Sequence, residues 1–133
     1  MKKFLLICLV ILLASCSSVN KENNSVLKLL PIDKVNTPQI FIYGTIDTIA
    51  IKYSLPNSCH VYHSLYYQYQ DTTRIVAVRA LEYVDNICSK DIVQKELKFP
   101  LHIVQRKDYV FKFWKGKDTK GNDLYEERII PVN

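Results

Sequence analysis

Cysteine and histidine carry the most reactive side chains at neutral pH, and this chain has four of the first and three of the second. Their spacing decides what they can do. Cys8 and Cys16 lie near the start, Cys59 and Cys88 far downstream. A redox-active or metal-binding thiol pair calls for C-x-x-C spacing or for histidines at ligand spacing, and neither pattern is present. His60 and His63 are three apart, which on a strand puts them on opposite faces and keeps them from sharing a metal. His102 is the remaining histidine. A nucleophile beside a base, paired carboxylates in a defined setting and a Gly-rich phosphate loop are all missing from the sequence. The residues therefore point away from an enzyme, a resident metal and a cofactor.

Two other stretches offer binding chemistry. Cys59 to Gln70 alternates strictly in type, with Val61, His63, Leu65, Tyr67 and Tyr69 set against His60, Tyr62, Ser64, Tyr66, Gln68 and Gln70. If Val61 and Leu65 point inward, then His60, Tyr62, Tyr66 and Gln68 line an outer face. Tyrosines there supply flat apolar area and a hydroxyl, which suit a sugar ring or a protein partner. Cross-strand aromatic pairing that merely stabilises a sheet would use the same residues. The second stretch, Asp118 to Asp123, has lysine where a calcium loop needs an oxygen ligand and no glycine at the sixth place. It reads as a hairpin tip.

The N-terminus has a different character. Met1-Lys2-Lys3 is positive, and Phe4 to Ala14 is an apolar run. Eleven residues of helix reach only roughly 16 Å, about half of a hydrocarbon core, so the run fits an export signal and not a permanent span. The junction Leu13-Ala14-Ser15-Cys16 resembles the lipobox of bacterial lipoproteins: a branched apolar residue, two small residues, then cysteine. The resemblance covers about the first 16 residues. It implies that residues 1–15 are a signal peptide cut off by signal peptidase II. Cys16 then carries a diacylglyceryl group, usually with an N-acyl chain, as membrane anchor. Each buried methylene is worth about 0.8 kcal/mol, and one chain holds only marginally, so the two or three chains expected on Cys16 suit a stable anchor. Ser17 is not the aspartate that retains enterobacterial lipoproteins at the inner membrane, and the tether lacks an acidic run. By that analogy the expected location is the outer membrane, on its periplasmic face, with the cell surface as the other possibility.

Export sets the redox context. With Cys8 removed and Cys16 lipidated, Cys59 and Cys88 are left to pair in an oxidising compartment, and a structural disulfide is expected. The formal charge of +5 includes Lys2 and Lys3, which leave with the signal. The remaining basic and acidic residues alternate, so nucleic acid is not expected as a partner.

The elements that must position these residues are strands. Ser17 to Asn24 is a polar tether, and Ser25 to Ile32 is a first strand or packed arm. Ile40 to Tyr43 is a short apolar run. Period-two patterns follow at Thr48–Leu55, Cys59–Gln70, Arg74–Tyr83, Lys95–Phe99, Asp108–Trp114 and Leu124–Val132, separated by turn residues. Asp91 to Leu97 has room for one helical turn. Six or seven strands at this spacing predict an all-β fold, an antiparallel β-sandwich of about seven strands over residues 39–133, with residues 16–38 as lipidated terminus, tether and arm. Phe99-Pro100-Leu101 followed by Asp108-Tyr109-Val110-Phe111-Lys112-Phe113 resembles the approach to the penultimate strand of immunoglobulin-like and fibronectin-III-like domains. That resemblance implies a corner in which the Tyr109 hydroxyl bonds to upstream backbone. Phe111 stands where an immunoglobulin domain has its second core cysteine. A small lipocalin-like barrel is the alternative fold.

These readings converge on a lipid-anchored, non-catalytic module of the cell envelope that binds or assembles with a protein or glycan partner. The alternative is a periplasmic inhibitor or small-ligand carrier, which requires an apolar cavity.

Overall fold

The computed structural model describes residues 24–133. The expected signal peptide, Cys16 and most of the expected tether lie outside the described residues. Eight strands follow in order: β1 (Ser25–Leu30), β2 (Ile32–Asn36), β3 (Ile46–Leu55), β4 (His60–Gln70), β5 (Thr73–Tyr83), β6 (Val93–His102), β7 (Tyr109–Lys117) and β8 (Asp123–Ile130). They form two sheets, one of β1, β4, β5, β7 and β8 and one of β2, β3 and β6. The sheets keep open edges, so the fold is a β-sandwich and the barrel alternative does not hold.

Alternation in the sequence becomes alternation in burial. Ile49, Ile51 and Tyr53 of β3, Val76, Val78 and Ala80 of β5, and Tyr109, Phe111 and Phe113 of β7 all point between the sheets and are buried. An aromatic ladder runs through this core. Tyr109 stacks on Phe111 at 6.0 Å and Phe111 on Phe113 at 5.6 Å between ring centroids, while Phe41 meets Tyr109 edge-on at 5.2 Å. Phe41 belongs to the short run Ile40–Tyr43, which is not a strand. It makes a single bridge to Val132, with Phe41 N–H donating to Pro131 O and Asn133 N–H donating to Phe41 O.

The arm before residue 39 contributes a strand to each sheet. β1 pairs with β5, the chain turns at Pro31, and β2 pairs with β3. On β5, one edge is taken along its length by β4. The other is shared: β1 pairs with Val78–Tyr83 and β7 with Thr73–Val76. The β5–β7 pairing is parallel, whereas the other strand pairs are antiparallel. Gly116 follows a bulge in β7 with φ of 104°, where a Cβ would lie 3.6 Å from the Pro31 ring. Its positive φ, more than the space, is what asks for glycine there.

β6 differs from the sequence reading at both ends. Asp91–Leu97, which has room for one helical turn, is strand from Val93, and the strand read over Lys95–Phe99 continues through Pro100 to His102. Among the described residues β6 pairs only with β3, and a proline is tolerated on such an edge because its missing N–H need not serve a ladder.

The Tyr109 hydroxyl accepts backbone N–H bonds from Val104 at 3.1 Å and Gln105 at 3.4 Å. This is the corner expected from the sequence. Tyr109→Phe keeps the ring and strands both amides, so it should lower stability by about 1–2 kcal/mol. Urea denaturation measures this; an unchanged midpoint would mean that water replaces the hydroxyl at no cost.

Candidate functional site

Cys59 and Cys88 are joined as a disulfide, with Cα atoms 5.3 Å apart. It ties the residue before β4 to the β5–β6 connection. The adjoining Ser58 adds hydrogen bonds, its amide donating to Ser89 O at 3.2 Å and its hydroxyl accepting from Ser89 N–H at 2.8 Å.

The tyrosine-rich strand beyond it does not present the four expected residues on one face. In the β4–β5 ladder Tyr62 opposes Ala80 while Ser64 opposes Arg79, so His63 is an extra residue on β4. Such a bulge shifts the phase of every side chain on one side of it. Tyr66 and Gln68 do lie on the outer face, beside Ala77 and Ile75. His60 and Tyr62 face the opposite way. Tyr62 meets the core residue Tyr53 at 6.1 Å between rings. His60 is buried, with Nδ1 2.7 Å from Asn57 Oδ1 and Nε2 4.0 Å from Glu82. Strict alternation misplaces this half of the set because the extra residue leaves no mark in residue type.

Tyr66 and Gln68 instead belong to a groove of about 590 Å³ on the outer face of the larger sheet. All five strands of that sheet line it. Ala77 and Trp114, 2% and 8% exposed, form its floor. Leu27 and Leu29 of β1 and Tyr125 of β8 add exposed apolar and aromatic surface. Polar groups stand among them. Tyr66 O–H donates to Gln68 Oε1 at 2.6 Å, and the Arg79 guanidinium lies 4.9 Å over the Tyr66 ring. Asp123 accepts from Trp114 Nε1 at 3.0 Å and pairs with Lys117 at 2.9 Å. Those two donors, Lys117 first, hold the Asp123 carboxyl below its ordinary range, and Asp123 in turn raises Lys117. Burial raises the Tyr125 hydroxyl, helped by Asp123. The groove combines aromatic surface with a few fixed polar groups, a composition suited to holding a ligand.

Trp114, Arg79, Leu27, Leu29 and Tyr125 were not expected at a site. One signal was available: Trp114 alternates with Phe113 and must point outward, where a large aromatic is conspicuous.

Histidines and acidic residues gather no metal-binding set among the described residues. His63 sits exposed at the bulge, its Nδ1 2.9 Å from the Ser64 hydroxyl. The Asp118–Asp123 segment is a hairpin tip organised by one carboxylate. Asp118 accepts from the amides of Lys120 at 2.8 Å and Asn122 at 2.9 Å, and from the Asn122 side chain at 3.0 Å. These bonds, Asn122 first, hold its carboxyl below the usual range. The folded value lies below the unfolded one, so the stabilisation is present above roughly pH 4 and disappears as pH falls through the lowered value. NMR should show the Lys120 and Asn122 amide shifts moving together below that pH, and Asp118→Asn should abolish the transition. Independent movement of the two amides would contradict the shared carboxylate.

A second buried polar cluster lies at the other end of β4 and β5. Arg74, 5% exposed, donates to the backbone oxygens of Asp71 at 2.6 Å and Thr73 at 3.1 Å and to Gln105 Oε1 at 2.7 Å. Its guanidinium also lies 4.5 Å over Tyr69 and 5.1 Å over Tyr109. Burial pushes the neighbouring Tyr67 hydroxyl far above the usual tyrosine range. This cluster lies at one end of the sandwich, where Arg74 ties the β4–β5 turn to Gln105 before β7.

Comparison of the chain with curated proteins and with solved structures gives no match. Residues 49–128, more than half of the chain and spanning β3 to β8, match a family of sandwich domains. The eight-stranded architecture agrees with that match, and the chain belongs to the ORF11 beta-sandwich domain family.

Proposed function

We propose that this protein is a lipid-anchored module of the cell envelope that holds a protein or glycan partner in the outer-face groove, without catalysing a reaction. The lipobox at Leu13–Cys16 supports the anchor. Ser17 and the tether composition favour an outer-membrane location on the periplasmic face over the cell surface, by analogy with enterobacterial lipoproteins. The observation that carries the binding role is the groove itself, about 590 Å³ with Trp114, Tyr66 and Tyr125 in its lining. A sheet that faced only water would leave its outer side more uniformly polar. Aromatic rings beside Gln68, Arg79 and the Lys117–Asp123 pair give stacking area together with directional donors and acceptors.

The carrier reading has less support. The space between the sheets is filled by Phe41, Tyr109, Phe111 and Phe113 with the aliphatic core around them, and the groove is open along the sheet.

The test compares the wild-type chain with Tyr125→Asp, a change at an exposed position that places a charge in the groove. Both are displayed on envelope membranes and crosslinked to neighbouring protein, and both are probed against a panel of envelope glycans. Capture should fall about tenfold or more in the variant while its melting temperature stays unchanged. Equal capture by both chains would place recognition elsewhere.

A further inference from the structure

The free edge of β4 is a second interaction surface, built from backbone instead of side chains. β5 occupies one side of β4, and the other side has no strand against it among the described residues. An open edge is a row of unpaired amides and carbonyls ready to accept another strand. Proteins guard such edges with charges, prolines or bulges. The other edge strands here follow that rule. β1 carries Lys28, β2 carries Asp33 and Lys34, β6 carries Lys95, Glu96, Lys98 and Pro100, and β8 carries Asp123, Glu126, Glu127 and Arg128. β4 reads HVYHSLYYQYQ: among the described strands it is the one without Asp, Glu, Lys or Arg, and none is longer. Its bulge at His63 guards only the first part, which leaves Ser64–Gln70 regular and unprotected.

We propose that this edge docks a second copy of the same chain, β4 against β4, antiparallel about a two-fold axis at Tyr67. A neutral strand that alternates in the same phase fits this edge without leaving a charge unpaired, and β4 is itself such a strand. Two-fold pairing about Tyr67 sets Tyr66 opposite Gln68 and Ser64 opposite Gln70 on the outer face. On the inner face it sets Leu65 opposite Tyr69 and Tyr67 opposite itself. Every pair is neutral, and a two-fold interface must be self-complementary in this way. The Tyr66–Gln68 hydrogen bond, 2.6 Å within one chain, shows that these side chains satisfy each other. Tyr69, 67% exposed in the single chain, gains Leu65 of the other copy as cover. The larger sheets of the two copies become one continuous sheet, with their grooves on the same side.

Ser64 and Gln70 lie outside the groove lining, so changing them tests the edge apart from the groove. Sedimentation equilibrium of the full chain in neutral detergent should show a reversible monomer–dimer transition. The double variant Ser64→Lys/Gln70→Lys places like charges directly opposite at both ends of the pair and should weaken association roughly tenfold or more. Ser64→Glu/Gln70→Lys places opposite charges there and should restore it. Melting temperature, read for each variant, separates a lost interface from a lost fold. A wild-type chain that stays monomeric overturns the proposal. So does a dimer indifferent to both variants, and so does an edge whose amides are protected from exchange only after envelope extract supplies a strand from another protein.

Discussion

Phe111→Ala should destabilise the domain by about 3–5 kcal/mol, the range for removing a large aromatic from a packed core. Phe111 is fully buried at the centre of the inner face of β7. It stacks on Phe113 and Tyr109, and Phe41 meets it edge-on at 6.3 Å. Removing the ring withdraws support from the corner tyrosine on one side and from the loop that holds Phe41 on the other. Those neighbours are themselves fixed, Tyr109 by the Val104 and Gln105 amides and Phe41 by backbone bonds to Pro131 and Asn133. They cannot collapse into the cavity easily, which favours the upper part of the range. Phe111→Leu, which keeps most of the volume, should cost markedly less. Urea titration followed by fluorescence and circular dichroism checks both. A loss below about 1 kcal/mol for Phe111→Ala would mean that the ladder is not the organising element of the core.

Replacing Cys59 and Cys88 together by alanine should cost about 3–4 kcal/mol, as expected for releasing a loop of this length in the unfolded chain. The bridge spans 29 residues and encloses the β4–β5 hairpin, the most extensive pairing in the larger sheet. Two features bear on the size of the effect. Cys59 is only 3% exposed, so the change also loses packing. Against that, the Ser58–Ser89 hydrogen bonds hold the same two segments together without the sulfurs. Because those hydrogen bonds do not depend on the sulfurs, the effect should come mainly from the unfolded state. The variant should therefore retain the wild-type circular dichroism spectrum while its denaturation midpoint falls. Reduction of the wild-type protein should reproduce that shift. A midpoint unmoved by either treatment would contradict a stabilising bridge.

Much of this fold is legible in residue order, and the failures have identifiable causes. β3, β5 and β7 show period two in residue type, which groups Ile49 with Ile51, Val76 with Val78 and Phe111 with Phe113 on shared faces that the structure buries. On β5, where both faces are apolar and Ala77 is buried too, alternation alone does not choose the inner one. The Tyr109 corner is readable through the resemblance of Asp108–Phe113 to the penultimate strand of immunoglobulin-like and fibronectin-III-like domains, and its hydroxyl does accept upstream amides. β4 defeats the same reasoning at His63, because an inserted residue inverts the faces of His60 and Tyr62 without altering the pattern of types. β6 defeats it at Pro100, because whether proline ends a strand depends on whether that strand is an edge. The groove is legible only in part. Tyr66 and Gln68 follow from alternation, and Trp114 from facing outward. Their meeting with Leu27, Leu29 and Tyr125 depends on β1 and β7 sharing one edge of β5, a matter of long-range topology that no local pattern encodes.

Intact-mass spectrometry of the mature protein extracted from its own membranes tests the anchored reading most directly. The expected mass begins at Cys16 and includes a diacylglyceryl group, with or without an N-acyl chain. An unmodified Cys16, or a product that still carries residues 1–15, would contradict it.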